Sequence, residues 1–183
     1  MTTWFTADTH FCHANVIKYS KRPFQHVDEM NSELIKRWNN VVQPEDTIYH
    51  LGDFAFCKPG QAIALASGLN GHKHLVFGNH DKKLRNHTGF LQQWEHKGDL
   101  IDIEVEGQRI VLCHYAMLVW NKSHYGSWML HGHSHGSLNN DHGKRVDVGM
   151  DCWNYTPVSF ETLRDGVMAK RAFSPEDRHG DDD

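Results

Sequence analysis

Apolar and polar positions change their period along this chain, and each change marks an element. Residues 4–7 form a short apolar run that stops at Asp8, and runs at 47–51 and 74–77 stop at Gly52-Asp53 and Gly78-Asn79. Short runs rich in aromatic and β-branched residues and closed by turn formers predict strands. Between the first two, Val27, Met30, Leu34, Ile35, Trp38 and Val41 recur at helical steps, predicting an amphipathic helix over 27–42 that ends before Pro44. A second helix is predicted over 59–69, opened by Pro59 and closed by Asn70-Gly71. The polar stretch 81–97 reads as loop or short helix. Residues 100–105 and 109–113, joined by Glu106-Gly107-Gln108, predict a β-hairpin, and 128–130 and 146–149 predict further strands. A last helix is expected after Pro157, with Ser159 as N-cap, running to about residue 169.

Alternating β and α segments followed by a β-rich half predict an α/β fold of two packed sheets. No repeat or linker divides 1–173, which is expected to be a single domain. The tail 174–183 ends in three aspartates and is expected to be disordered. A chain of 183 residues can bury a core without disulfides. Its four cysteines, Cys12, Cys57, Cys113 and Cys152, lack C-x-x-C spacing and read as buried free thiols in a reducing compartment. The first twenty residues carry no signal-peptide pattern and no apolar run is long enough to span a bilayer, so a cytoplasmic protein is expected. The net charge of −4 speaks against binding bulk nucleic acid or an anionic membrane.

The compositional anomaly is sixteen histidines. Five segments end apolar runs on metal-ligand types: Asp8-Thr9-His10, Gly52-Asp53, Gly78-Asn79-His80-Asp81, Cys113-His114 and His131-Gly132-His133-Ser134-His135. Imidazole, carboxylate and an amide oxygen suit divalent metals, and strand ends are where open α/β sheets gather ligands. Asp8 and His10 are two apart and are expected to leave one face of a strand, as are His133 and His135. Gly132 would let the backbone come close to the ions. Asp53 offers two oxygens and can bridge two cations. Asn79 is expected to ligate through its amide oxygen, leaving His80 as a free acid oriented by Asp81. His13 reads equally as a substrate contact or a helix cap, and Arg22 as a phosphate clamp or a solvated helix end. His50 and His131 read as structural, and Asp147 and Asp151, lacking a ligand pattern, likewise.

The ordered series Asp-x-His, Gly-Asp, Gly-Asn-His-Asp, His and Gly-His-x-His resembles the calcineurin-like metallophosphoesterase superfamily, over Asp8 to His135. Phe5-Thr6-Ala7-Asp8-Thr9-His10-Phe11-Cys12-His13 and the short length look most like its small, uncapped bacterial or phage members. The resemblance implies two mixed sheets sandwiched between helices. It also implies one metal on Asp8, His10, Asp53 and His135 and a second on Asp53, Asn79, His114 and His133, with His80 at the phosphate. Mn²⁺ is the expected ion, and Fe, Ni, Co or Zn also fit the donors. The chain departs from the phosphoprotein phosphatases after Gly52-Asp53, where Phe54-Ala55-Phe56-Cys57 replaces Val-Asp-Arg-Gly; this argues against a protein phosphatase.

The function implied is hydrolysis of a phosphoester by a metal-bridging hydroxide, with His80 assisting the leaving alkoxide. A phosphodiesterase of small or cyclic nucleotide diesters, including 2′,3′-cyclic phosphates at RNA ends, is the leading expectation. The alternatives are a phosphomonoesterase of a small substrate and a catalytically silent metal-binding scaffold. A nuclease subunit for long DNA would need a basic groove or a capping insertion, and neither is in the sequence.

Overall fold

The structure, a computed structural model, describes residues 1–138 and 143–171; the acidic tail lies outside them. Along the chain the elements are β1 (Thr3–Thr6), α1 (Ala14–Tyr19), α2 (Val27–Val41), β2 (Thr47–His50), α3 (Pro59–Ser67), β3 (His72–Val76), α4 (Thr88–Leu91), β4 (His96–Gly98), β5 (Leu100–Val105), β6 (Gln108–Cys113), β7 (Trp128–His131), β8 (Arg145–Asp147) and β9 (Val158–Ser159).

Two mixed sheets form. The first has five strands in the order β4-β3-β2-β1-β9, parallel except for β9, and the second has four in the order β5-β6-β7-β8, with β5–β6 antiparallel. Residues on the strands of the first sheet alternate between two cores, as the two-residue period of a strand requires. Ile48 and Leu75 turn to the side of α2 and α3, where they join Met30, Leu34, Trp38, Ala62 and Ala66. Phe5 and Val76 turn the other way and meet Ile110, Leu112, Leu130 and Val146 from the second sheet. The architecture is therefore the expected sandwich with helices on the outer face of the first sheet.

Local chemistry sets most boundaries. Helix α2 buries Met30, Leu34 and Trp38 and carries Asp28 and Glu29 in its first turn, where acids favour the helix dipole. Pro59 opens α3 at a position that needs no N–H. The β5–β6 turn places Glu106 and Gly107 at φ 49° and 80°, the two left-handed residues of a tight hairpin.

Past Pro157 the expected helix forms with Ser159 as its N-cap, but its start and its winding differ from expectation. Val158 and Ser159 first pair antiparallel with β1, and the Ser159 hydroxyl then accepts the Thr162 N–H at the start of a helical turn of π type over Thr162–Val167. Strand β4 was also not expected, because His96-Lys97-Gly98 has no apolar alternation; it is an edge strand held by backbone pairing to β3. The cysteines are all free thiols, but none is fully buried as expected: Cys12, Cys57 and Cys113 are partly buried and Cys152 is exposed.

Asp46 fastens the entry to the first sheet. Its carboxylate accepts the N–H groups of Thr2 at 2.7 Å and Gln43 at 3.0 Å and the Trp4 indole N–H at 3.0 Å. Burial works against the charge, but these three donors outweigh it and hold the carboxyl below its usual range. A depressed carboxylate contributes stability that is complete above the unfolded value, about 3.9, and is lost as pH falls through the folded one. Asp46→Ala is expected to cost about 2 kcal/mol at pH 7 in urea unfolding. The deficit should narrow as pH falls through the depressed folded value, where the wild-type carboxyl is itself protonated.

Candidate metal centre

The loops that follow β1 and β2 continue side by side beyond the sheet. Asp8 N–H donates to the Gly52 carbonyl, His10 N–H to that of Asp53, Phe11 N–H to that of Phe54, and Phe56 N–H back to that of Phe11. Parallel pairing of the two loops thus brings Asp8 and His10 against Asp53. Five of the expected ligands have left-handed backbones: Asp8 at φ 56°, His10 at 48°, Asp53 at 57°, His133 at 67° and His135 at 47°. Each such residue costs on the order of 1 kcal/mol or more, and a concentration of them at one place marks a site whose geometry is set for function.

This conformation corrects the reason expected for the convergence of Asp8 and His10. Both lie past the end of β1, so strand alternation does not aim them; two left-handed turns do. The spacing argument fails outright for His133 and His135, which join different groups.

Potential ligand atoms of Asp8, His10 and His135 lie within 4.8 Å of one another, and those of Asp53, His114 and His133 form a second such group. Asp53 links the two. Its Oδ2 lies 3.6 Å from His10 Nε2 and 3.5 Å from His114 Nε2, while its Oδ1 accepts the His80 N–H at 2.8 Å. Asn79 presents its amide oxygen 3.1 Å from His114 Nε2.

Each histidine is oriented through its other nitrogen where the structure gives a partner. His114 Nδ1 donates to the Leu51 carbonyl at 2.8 Å and His135 Nδ1 donates to Asp151 Oδ2 at 2.7 Å, which turns both Nε2 atoms toward the centre. This arrangement fixes tautomer and ring angle in metal-binding histidines.

The donor set fits divalent cations by a second criterion. Asp8 Oδ1 and His10 Nε2 are fully buried and make no hydrogen bond. Polar atoms buried without a partner are costly, and a cation satisfies both. Without one, burial raises the Asp8 carboxyl to about 7 and pushes His10 well below its usual range. Burial also works against the Asp53 carboxylate, but the hydrogen bond and charge of His114 and the His80 N–H outweigh it and hold Asp53 at about 2.

Glycines allow the close approach of these segments. A Cβ on Gly132 would lie 2.5 Å from Asp8 Oδ2, so this glycine makes room for the Asp8 carboxylate, not for ions as expected from sequence. A Cβ on Gly78 would lie 2.2 Å from Asp53 Oδ1.

Asp81 does not orient His80. Its buried carboxylate accepts the N–H groups of Asp53, Phe54 and Gly78 at 2.8–3.0 Å. It therefore pins the loop that carries Asp53 to the loop that carries Asn79. His80 itself is half-exposed, its Nε2 4.0 Å from Asp53 Oδ2, with its ring against His10, His13 and Phe56. His13 precedes α1 without capping it, and its ring sits 4.7 Å from Phe56 and 5.5 Å from His10.

Arg22 is neither a phosphate clamp nor a solvated helix end. Its buried guanidinium grips Asp151 bidentately at 2.9 and 2.8 Å and donates to the carbonyls of Asp8 at 2.6 Å and Thr9 at 3.0 Å. Arg22, Asp151 and His135 thus form a relay behind the centre. Nothing local in the sequence marks Asp151 for this role, because its partner arginine is 129 positions away. Asp147 is structural as expected, accepting the N–H groups of Gly136 and Gly149. His50 also matches its structural reading: buried among Trp38, Phe54 and Trp94, it accepts the Gly52 N–H and bonds the Thr9 hydroxyl.

A protein of Methanocaldococcus jannaschii described as uncharacterised is 36% identical over 168 residues, covering 87% of this chain and 88% of its own length. The Gene 66 protein of Mycobacterium phage L5 is 27% identical over 181 residues, covering 82% and 87%. Among solved structures, a protein of unknown function from Aquifex aeolicus superposes with a TM-score of 0.70 at 26% identity, covering 90% of this chain and 98% of that one. The calcineurin-like phosphoesterase superfamily domain matches residues 1–154, and the chain belongs to that superfamily.

Proposed function

We propose that the protein is a phosphodiesterase that uses two divalent ions. One would be held by Asp8, His10, Asp53 and His135, the other by Asp53, Asn79, His114 and His133. The observation that carries this reading is the position of Asp53 Oδ2, within 3.6 Å of a histidine nitrogen from each group. Mn²⁺ is the ion we favour for this nitrogen–oxygen donor set.

Ions bound there would supply Lewis-acid charge to the phosphoryl oxygens and acidify a water near neutral pH. The chain's own residues do the rest. Asp53 and Asp8 balance the charge, and His114 and His135 hold their rings rigid through Leu51 and Asp151. His80 is free of any such tie, stands at the mouth of the centre and donates a proton to the departing oxygen. His13, beside it, lines the same cleft of about 620 Å³. A poor alkoxide leaving group and an open cleft favour small or cyclic nucleotide diesters, RNA 2′,3′-cyclic ends among them, over monoesters. No helix among the described residues is long and apolar enough to cross a membrane. The four free thiols support a reducing, cytoplasmic setting.

The test is hydrolysis of bis(p-nitrophenyl) phosphate against p-nitrophenyl phosphate by Mn²⁺-loaded protein. Faster turnover of the diester is expected; faster turnover of the monoester would sink the diester assignment. His80→Ala should lower kcat on a diester with an alkoxide leaving group by about a hundredfold while metal content stays the same. The loss should shrink for nitrophenolate, which needs no proton.

A further inference from the structure

A second cavity, of about 480 Å³, opens beside the central cleft and shares Asn79 and His80 with it. Its wall is apolar, formed by Phe56, Pro59 and Leu84, and its rim carries Lys58, Lys82 and Lys83. The Phe56 ring is 54% exposed and lies 5.8 Å from that of His80. The three lysines are exposed and make no ion pair or side-chain hydrogen bond with any described residue. In a chain of net charge −4, three uncompensated cations around an apolar slot are a local reversal of sign.

We propose that this cavity is the leaving-group subsite and takes a nucleoside that carries a second phosphate, its base against Phe56 and that phosphate on the lysines. The inference rests on the phosphodiesterase reading and names its substrate class. His80 is the group available to protonate the departing oxygen, so the cavity that shares His80 lies on the leaving side. In the step, the water oxygen bonds to phosphorus, the bond from phosphorus to the nucleoside oxygen breaks, and that oxygen takes its proton from His80. The volume suits one nucleoside. An exposed aromatic face stacks any base without sequence preference, and Phe56 offers such a ring on this wall. Lysine ammonium groups unpaired within the protein call for an anion, and the scissile phosphate is already accounted for by the metal centre.

Calorimetric binding to the full-length, Mn²⁺-loaded protein tests this independently of turnover, with adenosine 3′,5′-bisphosphate, adenosine 5′-monophosphate and ribose 5-phosphate as probes. The bisphosphate should bind about tenfold tighter than the monophosphate, and Lys82→Glu with Lys83→Glu should erase that advantage. Phe56→Ala should weaken both adenosine ligands by about 5–100-fold, with ribose 5-phosphate much less affected. Equal affinity for the two adenosine ligands, or no difference between adenosine monophosphate and ribose 5-phosphate, would overturn the subsite. The same preparation is assayed on bis(p-nitrophenyl) phosphate. Turnover without the binding pattern removes the subsite and leaves the phosphodiesterase standing. The binding pattern without turnover supports the cavity's ligand and counts against the phosphodiesterase.

Discussion

Replacing Asp53 with asparagine is expected to abolish hydrolysis, with kcat/KM falling by about 10³–10⁵-fold, in a protein that stays folded. The substitution keeps the shape of the side chain and leaves Oδ1 able to accept the His80 N–H. It replaces the atom between the two histidine clusters with a neutral amide, which cannot balance two dications. Several kcal/mol of charge stabilisation are at stake, and each 1.4 kcal/mol is a factor of ten in rate. Metal analysis after dialysis should show fewer than two ions per chain. A variant that kept both ions and most of its activity would refute the bridging role assigned to Asp53.

The second large effect is on stability. Arg22→Met should lower the free energy of unfolding by about 3–5 kcal/mol, because it takes the countercharge from buried Asp151, whose Oδ2 keeps only His135, and leaves Asp151 Oδ1 and two backbone carbonyls without donors. The pair itself need not be strongly stabilising; the penalty comes from the partner left alone. Combining Arg22→Met with Asp151→Asn should therefore recover part of the loss. Asp151→Asn alone should weaken metal binding by about 10–100-fold, since the His135 ring loses its charged partner. Urea unfolding and metal titration of the single and double variants measure both effects. Additive losses would show that Arg22 and Asp151 act separately.

Strands, the long helix and the hairpin were legible in the sequence wherever a period ran for several residues, as with Met30, Leu34 and Trp38 on α2. Elements too short or too polar to show a period were not: β4 carries His96, Lys97 and Gly98, and β9 is only Val158 and Ser159. The residues of the centre were legible because they punctuate strand ends in a fixed order. Their geometry was not, since left-handed backbones at Asp8, His10, Asp53, His133 and His135 break the alternation that the two-residue spacing implied. The supporting residues were the least legible. Asp81 sits in a motif yet serves three backbone N–H groups, and Arg22 reaches Asp151 across most of the chain.

We propose two ions, shared through Asp53, as the source of this centre's phosphodiesterase activity. Titrating chelator-stripped protein with Mn²⁺ while following bis(p-nitrophenyl) phosphate hydrolysis tests it most directly. Activity should be absent without metal, rise with added Mn²⁺ and reach its plateau at about two equivalents. Full activity in the stripped protein, a plateau at one equivalent, or no activity with both sites filled would contradict the account.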